Sequence, residues 1–256
     1  MSLKEINTTL NAKGWIILDE LLQTDLVDRL NADLDRAYSI CREIQLKNGI
    51  DVNTDGTIHH AILFGGSNLE LLDKHIPNTC IESYFGGKFI LNTYGGILNM
   101  KSKESYVCKV HRDLRSFSGE IPLMLNMLVM LDDFTLENGA TYLLTGSHRV
   151  PEKPSDEIFF NNADRAVGKA GSILLFNSNL WHAAGKNKMA VARRALTMAF
   201  TRPFMKQQLD YPKALDNVEV LSDNLKQILG FNSRIPASLD EWYQPPEKRM
   251  YKPDQG

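Results

Sequence analysis

Between residues 86 and 203 the sequence breaks into short apolar runs separated by Gly, Asn, Asp and Ser: KFILNTYGGILNM, SYVCKVH, IPLMLNMLVMLDD, ATYLLTG, GSILLFNS and ARRALTMAFTR. Runs of this kind, bounded by turn formers, predict the strands of a sandwich or barrel. The flanks are different. In residues 22–46, Leu22, Val27, Leu30, Leu34 and Tyr38 recur at helical intervals with charges between them, which predicts an amphipathic helix. Helical period returns in ALDNVEVLSDNLKQIL, and the tail after it is Pro-rich and irregular. The expectation is a mainly β protein with flanking helices. At 256 residues it fits a single domain: N-terminal helices over about 1–85, a β-core over about 86–203, and a C-terminal helix and tail over about 204–256.

Charge narrows the partners. Lys plus Arg number 29 against 31 for Asp plus Glu, so no basic field invites nucleic acid or anionic lipid. No apolar stretch approaches the roughly 20 residues needed to span a bilayer. A small-molecule substrate is the expected partner, and the sequence carries no signature of an oligomeric state. The opening MSLKEINTTLNAKGW lacks the apolar centre of a signal peptide, which predicts a cytoplasmic protein. Cys41, Cys80 and Cys108 show no CxxC spacing and fit free thiols.

Two motifs mislead. His111-Arg112-Asp113-Leu114 spells the opening of a kinase catalytic loop, but Ser118 stands where that loop needs a metal-binding Asn. Asp133-Phe134 is followed by Thr135 rather than Gly, and no glycine-rich phosphate loop lies upstream. Asp51, Asn53, Asp55 and Gly56 match the start of a calcium loop, yet its closing position is Ile62, so a hydrogen-bonded turn is expected.

His111 and Asp113 have a better use. Residues i and i+2 of a strand share a face, so this pair can offer an imidazole and a carboxylate to one metal ion. His182 follows another apolar run and a tight Asn-Ser-Asn turn, and makes a third ligand. Two His and one carboxylate leave three positions open on a metal, the arrangement of non-haem Fe(II) oxygenases that bind an organic co-substrate and O₂. Such a co-substrate needs a cation for its far carboxylate. In ARRALTMAFTR, Arg193 shares its face with Ala195, Thr197, Ala199 and Thr201, which leaves room for a ligand. Arg194 opens the bulkier face with Leu196, Met198 and Phe200, and is expected to be solvated.

His111-x-Asp113, then Asn138-Gly139-Ala140-Thr141 with Gly146-Ser147-His148, then Trp181-His182 and Arg193 eleven residues on, together resemble the phytanoyl-CoA dioxygenase family of Fe(II)/2-oxoglutarate-dependent oxygenases. The likeness runs from KGWIILDELL to ARRALTMAFTR. It implies a double-stranded β-helix (jelly-roll, cupin-like) core, with iron held at His111, Asp113 and His182 and the far carboxylate of 2-oxoglutarate at Arg193. It also implies oxidation of a substrate with release of succinate and CO₂. In related halogenases a small residue replaces the carboxylate, so the presence of Asp113 points to hydroxylation without halide transfer.

Further candidates stand beside a bland reading. Asn126 interrupts LMLNMLVML and, as a buried amide, is expected to bond either 2-oxoglutarate or substrate, or else neighbouring backbone. Thr141 is a second candidate for the co-substrate. Arg115, His148 and Trp181 are candidates for the substrate, with surface exposure, turn formation and packing as their respective alternatives. His59 and His60 are expected at the surface, and the loops 48–66, 99–106 and 153–167 are expected to shape the pocket, the last exposing Phe159-Phe160. A cupin-like metal protein that does not use 2-oxoglutarate is the competing function, and it has no need of Arg193.

Overall fold

A strand that reads as one continuous apolar run must be covered on both faces, because its side chains alternate between them. The computed structural model, which describes residues 1–50, 54–101, 106–215 and 221–255, shows what the two covers are. Among the described residues nine strands form two antiparallel sheets. The larger contains β1 (Trp15–Leu18), β2 (Thr57–His59), β3 (Ile90–Asn99), β4 (Met124–Met130), β7 (Ile173–Asn177) and β9 (Arg193–Thr201), in the order β1-β7-β4-β9-β3-β2. The smaller contains β5 (Thr141–Leu143), β6 (Asp164–Ala166) and β8 (His182–Ala183), with β5 in the middle. The two sheets form the jelly-roll core, and the helices back the larger one.

Alternation sorts each central strand. Leu125, Met127 and Val129 of β4, Ile173 and Leu175 of β7, and Leu196, Met198 and Phe200 of β9 join the helix-side core. Leu128, Met130, Leu174, Phe176 and Ala195 face the other way, into a second cluster between the sheets. The helix α2 (Thr24–Lys47) supplies Leu26, Val27, Leu30, Leu34 and Ala37 to the helix-side core. It approaches so closely that a Cβ on Gly96 of β3 would lie 2.3 Å from Leu34 Cδ1.

Several expectations change. The region assigned to helices contains β1 and β2, which close both edges of the larger sheet. At four and three residues they are too short to show a period of two. The run SYVCKVH is no strand in its described part: Tyr106–Cys108 is a 3₁₀ turn, and His111 makes a single bridge to His182. The segment 153–167 is not an open loop, since Asp156–Asn162 is helical, capped by Ser155, and β6 follows. Phe159 is fully buried there against the cluster of Val110, Trp181 and Ala183, while Phe160 is exposed. Arg194 is not free in solvent, because Asp132 takes its backbone N–H and its guanidinium, and Asp35 of α2 lies 3.7 Å away. Of the calcium-like stretch, 51–53 lies outside the described residues. Asp55 accepts a hydrogen bond from the Tyr38 hydroxyl, and Ile62 is in the core. The three cysteines are free thiols, and among the described residues no helix is long and apolar enough to cross a membrane.

Leu34 is 1 % exposed and fills the contact between α2 and β3, so Leu34→Ala is expected to lower unfolding stability by about 2–5 kcal/mol. Denaturant unfolding checks this, with an unchanged slope against denaturant showing that only stability moved.

Candidate metal centre

The bridge between His111 and His182 builds the centre. Each residue's backbone N–H donates to the other's carbonyl, at 3.0 and 2.9 Å, and paired residues of antiparallel segments project to the same side. The two imidazoles therefore stand together, ring centres 4.2 Å apart. Asp113 joins them, with one carboxylate oxygen 3.6 Å from His111 Nε2 and the other 3.7 Å from His182 Nε2. The three ligand atoms lie within 4.8 Å of one another, the only such group of His, Cys, Asp or Glu among the described residues.

The surroundings select a protonation state. His111 Nδ1 is 2.7 Å from the Lys109 carbonyl and His182 Nδ1 is 3.0 Å from that of Leu180. A carbonyl only accepts, so both Nδ1 atoms carry hydrogen and both Nε2 atoms are turned toward Asp113. Burial pushes the His182 pKa down, against the pull of Asp113, and keeps the ring in its neutral, ligating form. Asn126 of β4 donates its amide to Asp113 Oδ2 at 2.6 Å, which orients the carboxylate. Its amide nitrogen is thus bonded to Asp113 rather than to neighbouring backbone, and Asn126 also lines the adjoining cavity.

These groups open on a cavity of about 260 Å³ between the sheets. Arg193 lies in its wall with Thr141 and Thr197. The guanidinium is fully buried over the Phe134 ring at 3.9 Å, and its Nε and Nη1 have no hydrogen-bond partner. Burial pushes its pKa down to about 10, partly countered by Asp132. Thr141 reaches the cavity because Gly139 turns with a φ of 82° and lets the chain pass the Gly185 carbonyl, 2.2 Å from where a Cβ would be.

The remaining candidates divide. Arg115 is exposed, and neither it, His148 nor Trp181 lines the cavity. His148 is buried against the first helix, Leu3–Lys13, with Nε2 3.2 Å from the Asn11 carbonyl. Trp181 turns away from the cavity and donates Nε1–H to the Glu152 carbonyl. His59 is exposed, as expected, and also lines the cavity, where it meets the Tyr106 hydroxyl at 3.3 Å. Tyr106 was not singled out from the sequence. The doublet His59-His60 beside a turn-rich stretch was the available signal, and only the pairing of β2 with β3 brings His59 to the cavity.

A jelly-roll holding two histidines, a carboxylate and a buried unpaired cation has the build of a non-haem iron dioxygenase that uses 2-oxoglutarate. Comparison with known proteins agrees. The phytanoyl-CoA dioxygenase (PhyH) family profile matches residues 10–195, and the chain belongs to that family. An uncharacterized protein of Mycobacterium tuberculosis is 32 % identical over all of this chain and 96 % of its own length. The iron/alpha-ketoglutarate-dependent dioxygenase penM of Penicillium thymicola is 25 % identical over 90 % of this chain and 78 % of its own. EctD from S. alaskensis, solved with 2-oxoglutarate and 5-hydroxyectoine, shares the fold at a TM-score of 0.62 and 17 % identity, covering 78 % of this chain and 76 % of that one. The protein is an Fe(II)/2-oxoglutarate-dependent dioxygenase.

Removing the Asn126 amide leaves Asp113 without its orienting donor. Asn126→Ala is expected to weaken Fe(II) binding about 10- to 100-fold, measured by anaerobic titration calorimetry. Wild-type affinity in this variant would show that Asp113 needs no such support.

Proposed function

We propose that His111, Asp113 and His182 hold the iron, that Arg193 receives the far carboxylate of 2-oxoglutarate, and that the enzyme hydroxylates a small metabolite or natural-product intermediate. The observation that carries the reading is Arg193. A buried guanidinium with two nitrogens unpaired is costly, and an anion in the adjoining cavity supplies what they lack. The alternative, a metal protein without 2-oxoglutarate, leaves that cost unexplained.

When bound, Fe(II) with 2-oxoglutarate and O₂ supplies the oxidising chemistry, with succinate and CO₂ as by-products. The chain contributes orientation and exclusion of water. The Lys109 and Leu180 carbonyls hold the two Nε2 atoms toward the metal position, Asn126 holds the carboxylate, and Phe176 packs edge-on against the His182 ring at 4.9 Å. Thr141 and Thr197 add hydroxyls to the same cavity as Arg193. A small substrate is supported by the cavity's size and by its mixed lining, in which His59, Tyr106 and Gln208 alternate with Ile97, Met124 and Leu128. The structural neighbour SnoN, a non-heme alpha ketoglutarate dependent epimerase from nogalamycin biosynthesis, supports a natural-product substrate.

The test is an anaerobic titration of the Fe(II)-loaded protein with 2-oxoglutarate, followed through the visible charge-transfer absorbance of the chelate. A saturable band is expected. Arg193→Ala should shift its midpoint about 10- to 100-fold upward, the equivalent of losing roughly 1.5–3 kcal/mol from a charge-assisted pair. Iron bound with no band at any 2-oxoglutarate concentration would overturn the assignment. Asp113→Ala should lose iron retention and succinate formation together, and full succinate formation in that variant would remove Asp113 from the centre.

A further inference from the structure

Two ligand-bearing segments meet at only one reciprocal backbone pair, His111 with His182, and that bridge belongs to no longer ladder. Single contacts join them nearby, from Ala184 N–H to the Val107 carbonyl at 2.8 Å and from Leu114 N–H to that of Ser178 at 3.3 Å. One pair sets which residues face each other. It leaves the twist between the segments, and so the angle between the imidazoles, to whatever lies behind the bridge.

Behind it stand the immediate neighbours of the two histidines. Arg112 follows His111 and Trp181 precedes His182, so both point away from the cavity. Arg112 is 8 % exposed, with its guanidinium 4.1 Å from the centre of the Trp181 ring and 5.4 Å from that of Phe117. Its Nη2 donates to the Val150 and Pro151 carbonyls, both at 2.9 Å. The Trp181 indole N–H donates to the next carbonyl, Glu152, and the Trp181 backbone N–H donates to Ser147 Oγ. The stack therefore ties both ligand segments to one stretch, residues 147–152. Arg112 has no ion-pair partner within 4 Å among the described residues, and its Nε is buried without a partner. A methionine would fill this space without burying a charge. It would not stack flat on the indole and donate to two carbonyls at once.

We propose that Arg112 is a positioning residue of the metal centre, which through its stack on Trp181 locks the His111–His182 bridge from behind and sets the angle at which the two imidazoles meet the metal. This rests on the metal assignment above. It gives the His-Arg-Asp sequence a purpose for its middle residue: two ligands face the cavity and a cation between them grips the scaffold.

The probe is cobalt(II), added to metal-free full-length protein and followed by its visible ligand-field absorbance. Arg112→Met, Arg112→Lys and Trp181→Leu are each expected to weaken cobalt binding about tenfold or more and to alter the band shape. Lysine keeps the charge but not the plane, so it should resemble methionine rather than wild type. The Arg112→Met/Trp181→Leu double variant should lose little beyond the worse single one, because the two side chains act as one unit. Wild-type cobalt affinity and spectrum in Arg112→Met would overturn the proposal, even with a lowered melting temperature. If Arg112→Met does not fold, the same result in Arg112→Lys overturns it. Absence of cobalt binding by the wild-type protein would instead reject the metal assignment itself.

Discussion

The centre depends on one reciprocal pair of backbone hydrogen bonds, between His111 and His182. It brings together side chains 71 positions apart in the chain and, by the geometry of antiparallel pairing, turns them to the same side. Everything else refines that contact. The Lys109 and Leu180 carbonyls choose the ring nitrogen that is left free, Asn126 aims the carboxylate, and burial keeps His182 neutral. The same alternation that turns the histidines inward turns Arg112 and Trp181 outward, where they stack on each other.

The larger sheet makes room for this. Its outer face is packed by α2 and the other helices, and along β9 the bulky Leu196, Met198 and Phe200 stand on that side while small residues face the smaller sheet. Along β9 this puts Arg193 at the end of a row formed by Ala195, Thr197 and Ala199, all lining one cavity. Arg194, one residue on, is drawn to Asp132 and Asp35 on the helix side. Two adjacent arginines thus stand in opposite surroundings: one is paired with the protein's own carboxylates, and the other is buried with two nitrogens unpaired. Burying an unsatisfied cation costs stability.

Much of this was legible in the chain. The runs that became β3, β4, β7 and β9 stood out because long central strands carry long apolar patterns. The candidates His111, Asp113, His182 and Arg193 were found because their residue types and order are uncommon together. Short elements were not legible: β1 and β2 are edge strands whose existence depends on the partners they meet, β7 and β3. SYVCKVH has strand composition, yet in its described part it turns at Tyr106–Cys108 because its neighbour offers it only isolated pairings. Phe159 looked exposed amid polar residues and is buried, because the helix that carries it folds over the rear of the ligand segments.

The sequence by itself determined which faces would be apolar, which strand would carry a lone inward arginine, and which donor types were on hand for a metal. Periodicity is local, so it specifies the side of a strand on which a side chain stands. Only the tertiary structure decided what stands opposite: Asn126 against Asp113, His59 beside Tyr106, Arg112 upon Trp181. Those meetings join segments separated by 13, 47 and 69 residues, and no local pattern encodes which distant segment will lie across the cavity. The packing of the whole chain selects them, since each contact is stable only once the sheets and helices around it have formed.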